Sequence, residues 1–301
     1  MKSFLGVDIG AQSVKACRTD EHGTLLSQSS ISTGADIDSD SFLSSLKTII
    51  QELMEEGNSP VSGIGLGSPG PLDKDAGILI SSANLPKLKN VPIVSYLKDS
   101  FGIPVYYDND ANCAALGEYW YGVGKGSRNL VVITLGTGIG GGWVYEGSLF
   151  DGYKGNSMEV GHNTIRPGGT LCGCGHRGCA EAYFSTSGFS TRYRELTGRN
   201  FSDAKEFFSL VKKGEQEANL ILEEGIEILS ELIRNLIHIL NPECVVLSGG
   251  LVKSYSLFGK QLEKRVREII FPVFRNYTRI LAGGSVTGAL GAASLCLGRI
   301  P

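Results

Sequence analysis

The chain has 301 residues, 20% of them charged and 42% hydrophobic, with a net charge of −3. This balance suits a globular protein with a sizeable buried core; it excludes a disordered chain and gives no electrostatic reason to expect nucleic acid or an anionic membrane as partner. Glycine is the outlier, with 41 residues, about twice its ordinary share of about 7%. No low-complexity repeat absorbs them, so they belong in turns and in loops that bring backbone close to a ligand.

Residues 1–7 lack the charged lead and long apolar run of a signal peptide and read as the start of a first strand. No stretch approaches the roughly 18 apolar residues of a membrane helix. The pattern predicts a strand over 4–9, a second over 13–18, a turn at Glu21-His22-Gly23 and a third strand over 24–31. This antiparallel opening is foreign to a Rossmann fold. Apolar Phe42, Leu43, Leu46, Ile49, Ile50, Leu53 and Met54 predict an amphipathic helix over 40–56. A buried strand over 61–66 runs into the turn-rich loop Gly67-Ser68-Pro69-Gly70-Pro71. A strand over 105–107 places Asp108-Asn109-Asp110 at its carboxyl end, the side on which open α/β sheets bind ligands.

The scheme then repeats. A strand over 129–135, a glycine turn over 136–142 and a strand over 143–145 are followed by an irregular stretch, 150–185. A long helix over 217–240, a strand over 245–247, the glycine turn Gly249-Gly250 and helices near 254–271 and 285–297 complete the chain. The expectation is a duplicated α/β unit forming two lobes with a central cleft.

Three groups of residues carry chemistry. The turns near 8–13 and 136–142 occupy equivalent places in the two halves. Gly136-Thr137-Gly138 offers backbone N–H groups and a hydroxyl that suit phosphate oxygens; the plainer alternative is a hairpin needing glycine for positive φ. Paired turns are suited to holding a nucleotide phosphate chain, with Asp8 binding magnesium through water. Walker A and strand-to-helix Gly-x-Gly-x-x-Gly loops are absent. At the next strand end, an aspartate facing a cleft can take the proton of an attacking hydroxyl, and pattern alone does not choose between Asp108 and Asp110. The third group is Cys172, Cys174 and Cys179 with His162. Three thiolates and an imidazole are a usual structural zinc set, and His176 rivals His162 as fourth ligand. An odd count of seven cysteines, three of them crowded into 172–179, argues for metal binding in a reducing, cytoplasmic compartment over a disulfide framework. Glu159 and Glu181 bracket this knuckle, where they can accept hydrogen bonds from sugar hydroxyls.

Asp8-Ile9-Gly10, Gly67-Ser68-Pro69-Gly70, Asp108-Asn109-Asp110-Ala111-Asn112, Leu135 through Gly142, Glu159-Val160-Gly161-His162 and Cys172 through Glu181 together resemble the ROK family of repressors, open reading frames and sugar kinases. The motifs follow the family's order across nearly the whole chain. The resemblance implies an actin-like ATPase (ribonuclease H-like) fold and a homodimer. It places residues 1–114 in a smaller lobe, completed by the C-terminal helix, and 115–301 in a larger one. It implies ATP with Mg²⁺ as phosphoryl donor, a structural zinc, and Asp110 as general base on the sugar 6-hydroxyl.

By the same resemblance Gly70, Asn84, Asn109, Asp110, Glu159, His162 and Glu181 bind sugar, and His162 also binds the zinc. Asp8, Gly10, Gln12, Ser13, Lys15, Gly136, Thr137, Gly138, Gly249 and Gly250 serve the nucleotide. The run Gly67 to Asp73 with Asn84-Leu85-Pro86 is most similar to the bacterial glucokinase branch, making glucose the favoured substrate. N-acetylmannosamine, N-acetylglucosamine, fructose and allose are the alternatives within the family. Two positions depart from the family pattern: Ala11-Gln12 where a glycine and a hydroxyl residue are usual, and Ser248 where a third glycine is common. A non-catalytic sugar sensor is the rival reading that the altered first turn raises. A repressor is the other, and the acidic balance and a phosphate hairpin starting at residue 4 oppose it.

Overall fold

The computed structural model describes residues 2–10, 13–34, 36–57, 59–81, 85–284 and 286–297. The first expectations are met closely. β1 (Ser3–Ile9), β2 (Ser13–Asp20) and β3 (Leu25–Ser32) form an antiparallel meander, and α1 (Ser39–Glu55) buries Phe42, Leu43, Leu46, Ile49, Ile50 and Leu53. Asp38 caps α1, its side chain accepting from the Ser41 N–H at 2.9 Å. β4 (Val61–Ser68) lies parallel to β1, and β8 (Val105–Asn109) parallel to β4. The sheet order is β3-β2-β1-β4-β8.

Between β4 and β8 the chain inserts a small antiparallel sheet of β5 (Leu72–Asp73), β6 (Ile78–Ser81) and β7 (Lys89–Val91), then α2 (Ile93–Phe101). α3 (Asp110–Trp120) follows β8 directly. Contacts group residues 1–126, 147–157 and 285–301 into one unit, so 115–126 and α8 (Gly288–Ala293) belong with the N-terminal sheet. α8 packs on β1 and β4 at backbone distance. A Cβ on Gly6 would sit 1.8 Å from the Ala289 carbonyl oxygen, and one on Gly65 1.9 Å from that of Ala292. Two of the excess glycines thus admit a helix, not a ligand. The helix expected over 285–297 is shorter, ending at Ala293 in a 3-10 turn over Ser294–Cys296.

The second unit, residues 127–146 and 158–284, is built on β9 (Asn129–Leu135), β10 (Ile139–Tyr145), β12 (Cys244–Ser248) and β13 (Arg279–Ala282); the short β11 (Ser148–Leu149) precedes the rest of the 147–157 segment of the first unit. The order β10-β9-β12-β13 repeats β2-β1-β4-β8, with the same antiparallel hairpin followed by parallel neighbours. The duplication inferred from pattern is therefore present in topology. α6 (Gln216–Leu240) and α7 (Tyr255–Ile269) cover this sheet, with α4 (Thr186–Thr197) and α5 (Ala204–Lys212) beside them. The core joins Val131, Ile133 and Val245 to Phe184, Phe189, Phe207 and Phe258.

A second boundary differs from expectation. Gly140, Gly141 and Gly142 are strand residues of β10 and pair with Thr134, Ile133 and Val132, so the turn is confined to Gly136-Thr137-Gly138. The reason is crowding: a Cβ on Gly141 would lie 2.6 Å from the Met158 carbonyl oxygen.

Candidate active site

In the first unit the parallel strands end level with one another. Asp8 stands opposite Gly67, Gly67 opposite Asp108, and Ser68 opposite Asn109. Three of the sequence motifs are thereby gathered at the carboxyl edge of one sheet. The Gly10 N–H donates to the Ser13 carbonyl at 3.0 Å and closes the first hairpin, in which exposed Lys15 pairs across from Asp8. Ala11 and Gln12 of this turn, and Asn84, lie outside the described residues. Gly70 faces Asn109: a Cβ there would be 3.7 Å from the Asn109 amide nitrogen.

The two aspartates that the pattern left open have different surroundings. Asp108 is fully buried. Its Oδ1 accepts from the Asn109 N–H and from the Asn112 amide, both at 2.8 Å, and its other oxygen pairs with Lys74. Asp110 is exposed on the first turn of α3, where the helix dipole favours a carboxylate. Between them Asn109 caps the helix, its side chain accepting from the Ala111 N–H at 2.8 Å. Asp108 is committed to the interior; Asp110 is presented to solvent.

Asp8 is half-buried, and its carboxyl is pushed up to about 6, first by burial and next by the negative charge of Asp110, with Lys15 opposing. A folded-state value above the ordinary one means that protonation favours the native form, a contribution lost as pH rises through about 6. Removing the Asp110 charge should therefore lower the Asp8 titration midpoint, and Lys15→Met should raise it. Carboxyl ¹³C NMR titration of the two variants reads both shifts, and an Asp8 midpoint indifferent to Asp110 would deny their coupling.

In the second unit the Gly136 N–H donates to the Gly138 carbonyl at 3.0 Å, leaving Thr137 exposed at the tip. α4 buttresses this turn. The Thr186 N–H donates to the Gly136 carbonyl at 2.9 Å, and the Ser187 hydroxyl to that of Thr137 at 2.7 Å. Neither residue had a sequence signal, since α4 is mostly polar and its buried face is only Gly188, Phe189, Arg192 and Tyr193. Gly249-Gly250 follows β12, whose Ser248 lies opposite Thr134 of β9, so both glycine turns open at the same sheet edge. Gly249 has φ +92°, and a Cβ on it would meet the Leu135 carbonyl oxygen at 2.5 Å.

The knuckle gathers as a cluster. One donor atom each from His162, Cys172, Cys174 and Cys179 lies within 4.8 Å of the others. Cys174 and Cys179 sulfurs are 3.7 Å apart, as are the Cys172 sulfur and His162 Nδ1; tetrahedral zinc with Zn–S near 2.3 Å requires edges of about 3.8 Å. The donors therefore fit zinc. Cys174 is lowered to about 6, chiefly by the His176 backbone N–H, whereas burial pushes Cys172 up to about 12, a thiol that a cation would have to ionise. Glu159 is exposed just before the 3-10 turn Val160–His162. Glu181 binds inward as well: Oε2 accepts from the Ile139 N–H at 2.9 Å, and Oε1 is 3.8 Å from the Cys172 sulfur. It thus ties the knuckle to the hairpin that carries Gly136-Thr137-Gly138.

Comparison with known proteins extends these observations. A glucokinase of Thermotoga maritima is 33% identical over 99% of this chain and 98% of its own length. The N-acetyl-D-glucosamine kinase of Vibrio cholerae is 34% identical over 77% of this chain and 80% of its own. Among solved structures, a ROK hexokinase from Thermus thermophilus superposes with a TM-score of 0.85 at 29% identity over 97% of both chains. A ROK glucokinase from Streptomyces griseus, solved with glucose and AMPPNP, gives 0.81 at 27%, covering 97% of this chain and 98% of that one. The repeated sheet order is that of the actin-like ATPase fold shared with these neighbours. The ROK family model matches residues 4–299, and with the glycine turns, the strand-end aspartates and the cysteine knuckle in place, this chain belongs to the ROK family.

Proposed function

We propose that this protein transfers the γ-phosphate of ATP to the 6-hydroxyl of a hexose, with glucose the favoured substrate. The observation that carries the reading is the exposed Asp110 carboxylate on the first turn of α3, its charge felt by Asp8 at the sheet edge, in a chain similar to glucokinases over its whole length. A sensor needs no carboxylate presented in that place.

In this reading Asp110 accepts the hydroxyl proton as the oxygen attacks the γ-phosphorus. Gly70, Asn84, Asn109, Glu159, His162 and Glu181 hold the sugar hydroxyls. Gly10, Gln12, Ser13 and Lys15, and the turn Gly136-Thr137-Gly138, hold phosphate oxygens, and Gly249-Gly250 flanks the adenosine. Asp8, a hard oxygen donor of partial burial, fits a hydrated magnesium ion, which supplies charge neutralisation on the phosphates when bound. His162, Cys172, Cys174 and Cys179 hold a structural zinc that leaves no open position for water. With His162 Nδ1 facing the thiols, Nε2 is the ring nitrogen left for the sugar. A homodimer in a reducing cytoplasm completes the reading; the thiols of the knuckle support the compartment.

Regiochemistry tests the base assignment independently of rate. Phosphorus NMR of the product should show phosphate coupled to the C6 methylene protons; phosphate on any other carbon would contradict the geometry assigned to Asp110.

A further inference from the structure

Lys74 follows β5 in the turn to β6, where a lysine is ordinarily a solvated charge. Here its side chain is only 16% accessible, and its ammonium pairs with Asp108 and, at 2.7 Å, with Asp151. Gly155 makes room for the stem: a Cβ there would meet Lys74 Cδ at 3.1 Å. Three segments distant in sequence, the β5–β6 hairpin, the end of β8 and the 147–157 segment, therefore converge on one ammonium group. The buried partner, Asp108, has no solvent exposure and spends Oδ1 on the Asn109 N–H and the Asn112 amide. Enclosing a carboxylate costs solvation, and pairing and hydrogen bonding offset that cost. Apolar side chains often stabilise such a place as well as a buried ion pair does. What the pair adds is direction, and what it directs is the junction from which Asn109 and Asp110 project.

We propose that Lys74 is a positioning residue for phosphoryl transfer. It orients Asp108, and through Asp108 the Asn109 backbone and the first turn of α3, so that Asn109 and Asp110 meet the sugar together. Asp151 holds Lys74 from the other side. The proposal rests on the kinase reading above, and Lys74 itself touches no reacting atom.

Steady-state kinetics in both substrates, with sugar binding by calorimetry in the absence of ATP, test it on Lys74→Met, Lys74→Arg and Asp151→Asn. Lys74→Met should lower kcat/KM for sugar by about 100-fold, since displacement of about 1 Å at a reacting group costs that much. The loss should be split between a higher sugar KM and a lower kcat, with KM for ATP within about twofold. Lys74→Arg should recover most of it. Combined with Asp108→Asn, Lys74→Met should add little, because both act through one contact. Wild-type sugar kinetics in Lys74→Met would overturn the proposal. So would a fall in kcat that matches a lost folded fraction while both KM values stay put, or losses that multiply in the double variant. If Lys74→Met does not fold, Asp151→Asn decides: the same split in smaller measure supports the proposal, and unchanged kinetics overturns it. A wild-type protein that binds sugar without phosphorylating it removes the kinase reading alone. The calorimetric comparison, with sugar Kd raised about tenfold in Lys74→Met, then still decides the role of Lys74.

Discussion

Asp110→Asn is expected to lower kcat by about 10³-fold, within the range for loss of a general base, while sugar Kd changes by less than about threefold. The substitution keeps the shape of the side chain and removes its ability to take a proton. The fold should tolerate it, because Asp110 is exposed and asparagine is acceptable on a first helical turn. Asp108→Asn is the informative contrast. Its carboxylate lies in the interior, paired with Lys74 and accepting from Asn109 and Asn112, so its loss should appear in stability and in sugar KM together. Stopped-time assays for kcat and calorimetry for Kd separate the two variants. Wild-type turnover in Asp110→Asn would remove Asp110 as base.

Cys174→Ser is expected to reduce zinc from about one ion per chain to near zero, a tetrahedral site with one thiolate missing being far weaker. Sugar Kd should rise about 10- to 100-fold, the range for disturbance of groups that orient a metal's ligands. The link is physical. His162 is in the cluster, and Glu181 approaches both the Cys172 sulfur and His162 Nδ1, the latter at 4.0 Å, while holding the Ile139 N–H. Slackening the knuckle therefore reaches two proposed sugar ligands and the hairpin of the second glycine turn. His176→Ala should retain the metal, because Nδ1 of His162 occupies the fourth corner of the cluster. Elemental analysis reads the ion directly. Full occupancy in Cys174→Ser would contradict the ligand set, and an unchanged sugar Kd in the metal-free protein would break the link to the sugar.

The long periodic elements were legible because their signals are physical ones. α1 and α6 carry apolar stripes that the structure buries, and the two opening hairpins recur at equivalent places in both sheets. α3 was not legible. It buries Ala111, Asn112, Cys113, Ala115, Leu116, Gly117 and Glu118, nearly all around, and so has no stripe to read. The run 136–142 reads as one long turn because glycine signals both positive φ and close packing, and only the neighbour at Gly141 tells which applies.

Within the site, the knuckle was legible down to its alternatives, since three cysteines in eight positions have few other uses. The choice between His162 and His176 was not, because it depends on how the loop folds back. The contrast between Asp108 and Asp110 required burial and partners. Lys74 left no trace at all: its meaning arises from Asp108 and Asp151, brought to it by the fold.

The most direct test is ADP release from Mg-ATP by the purified protein, with glucose, N-acetylmannosamine, N-acetylglucosamine, fructose and allose offered in turn. The account predicts strong turnover with glucose, at kcat/KM at least about tenfold above any other sugar. Silence across the panel, with sugar binding still detectable by calorimetry, would contradict it and leave a sensor whose first phosphate turn, altered at Ala11 and Gln12, no longer serves ATP.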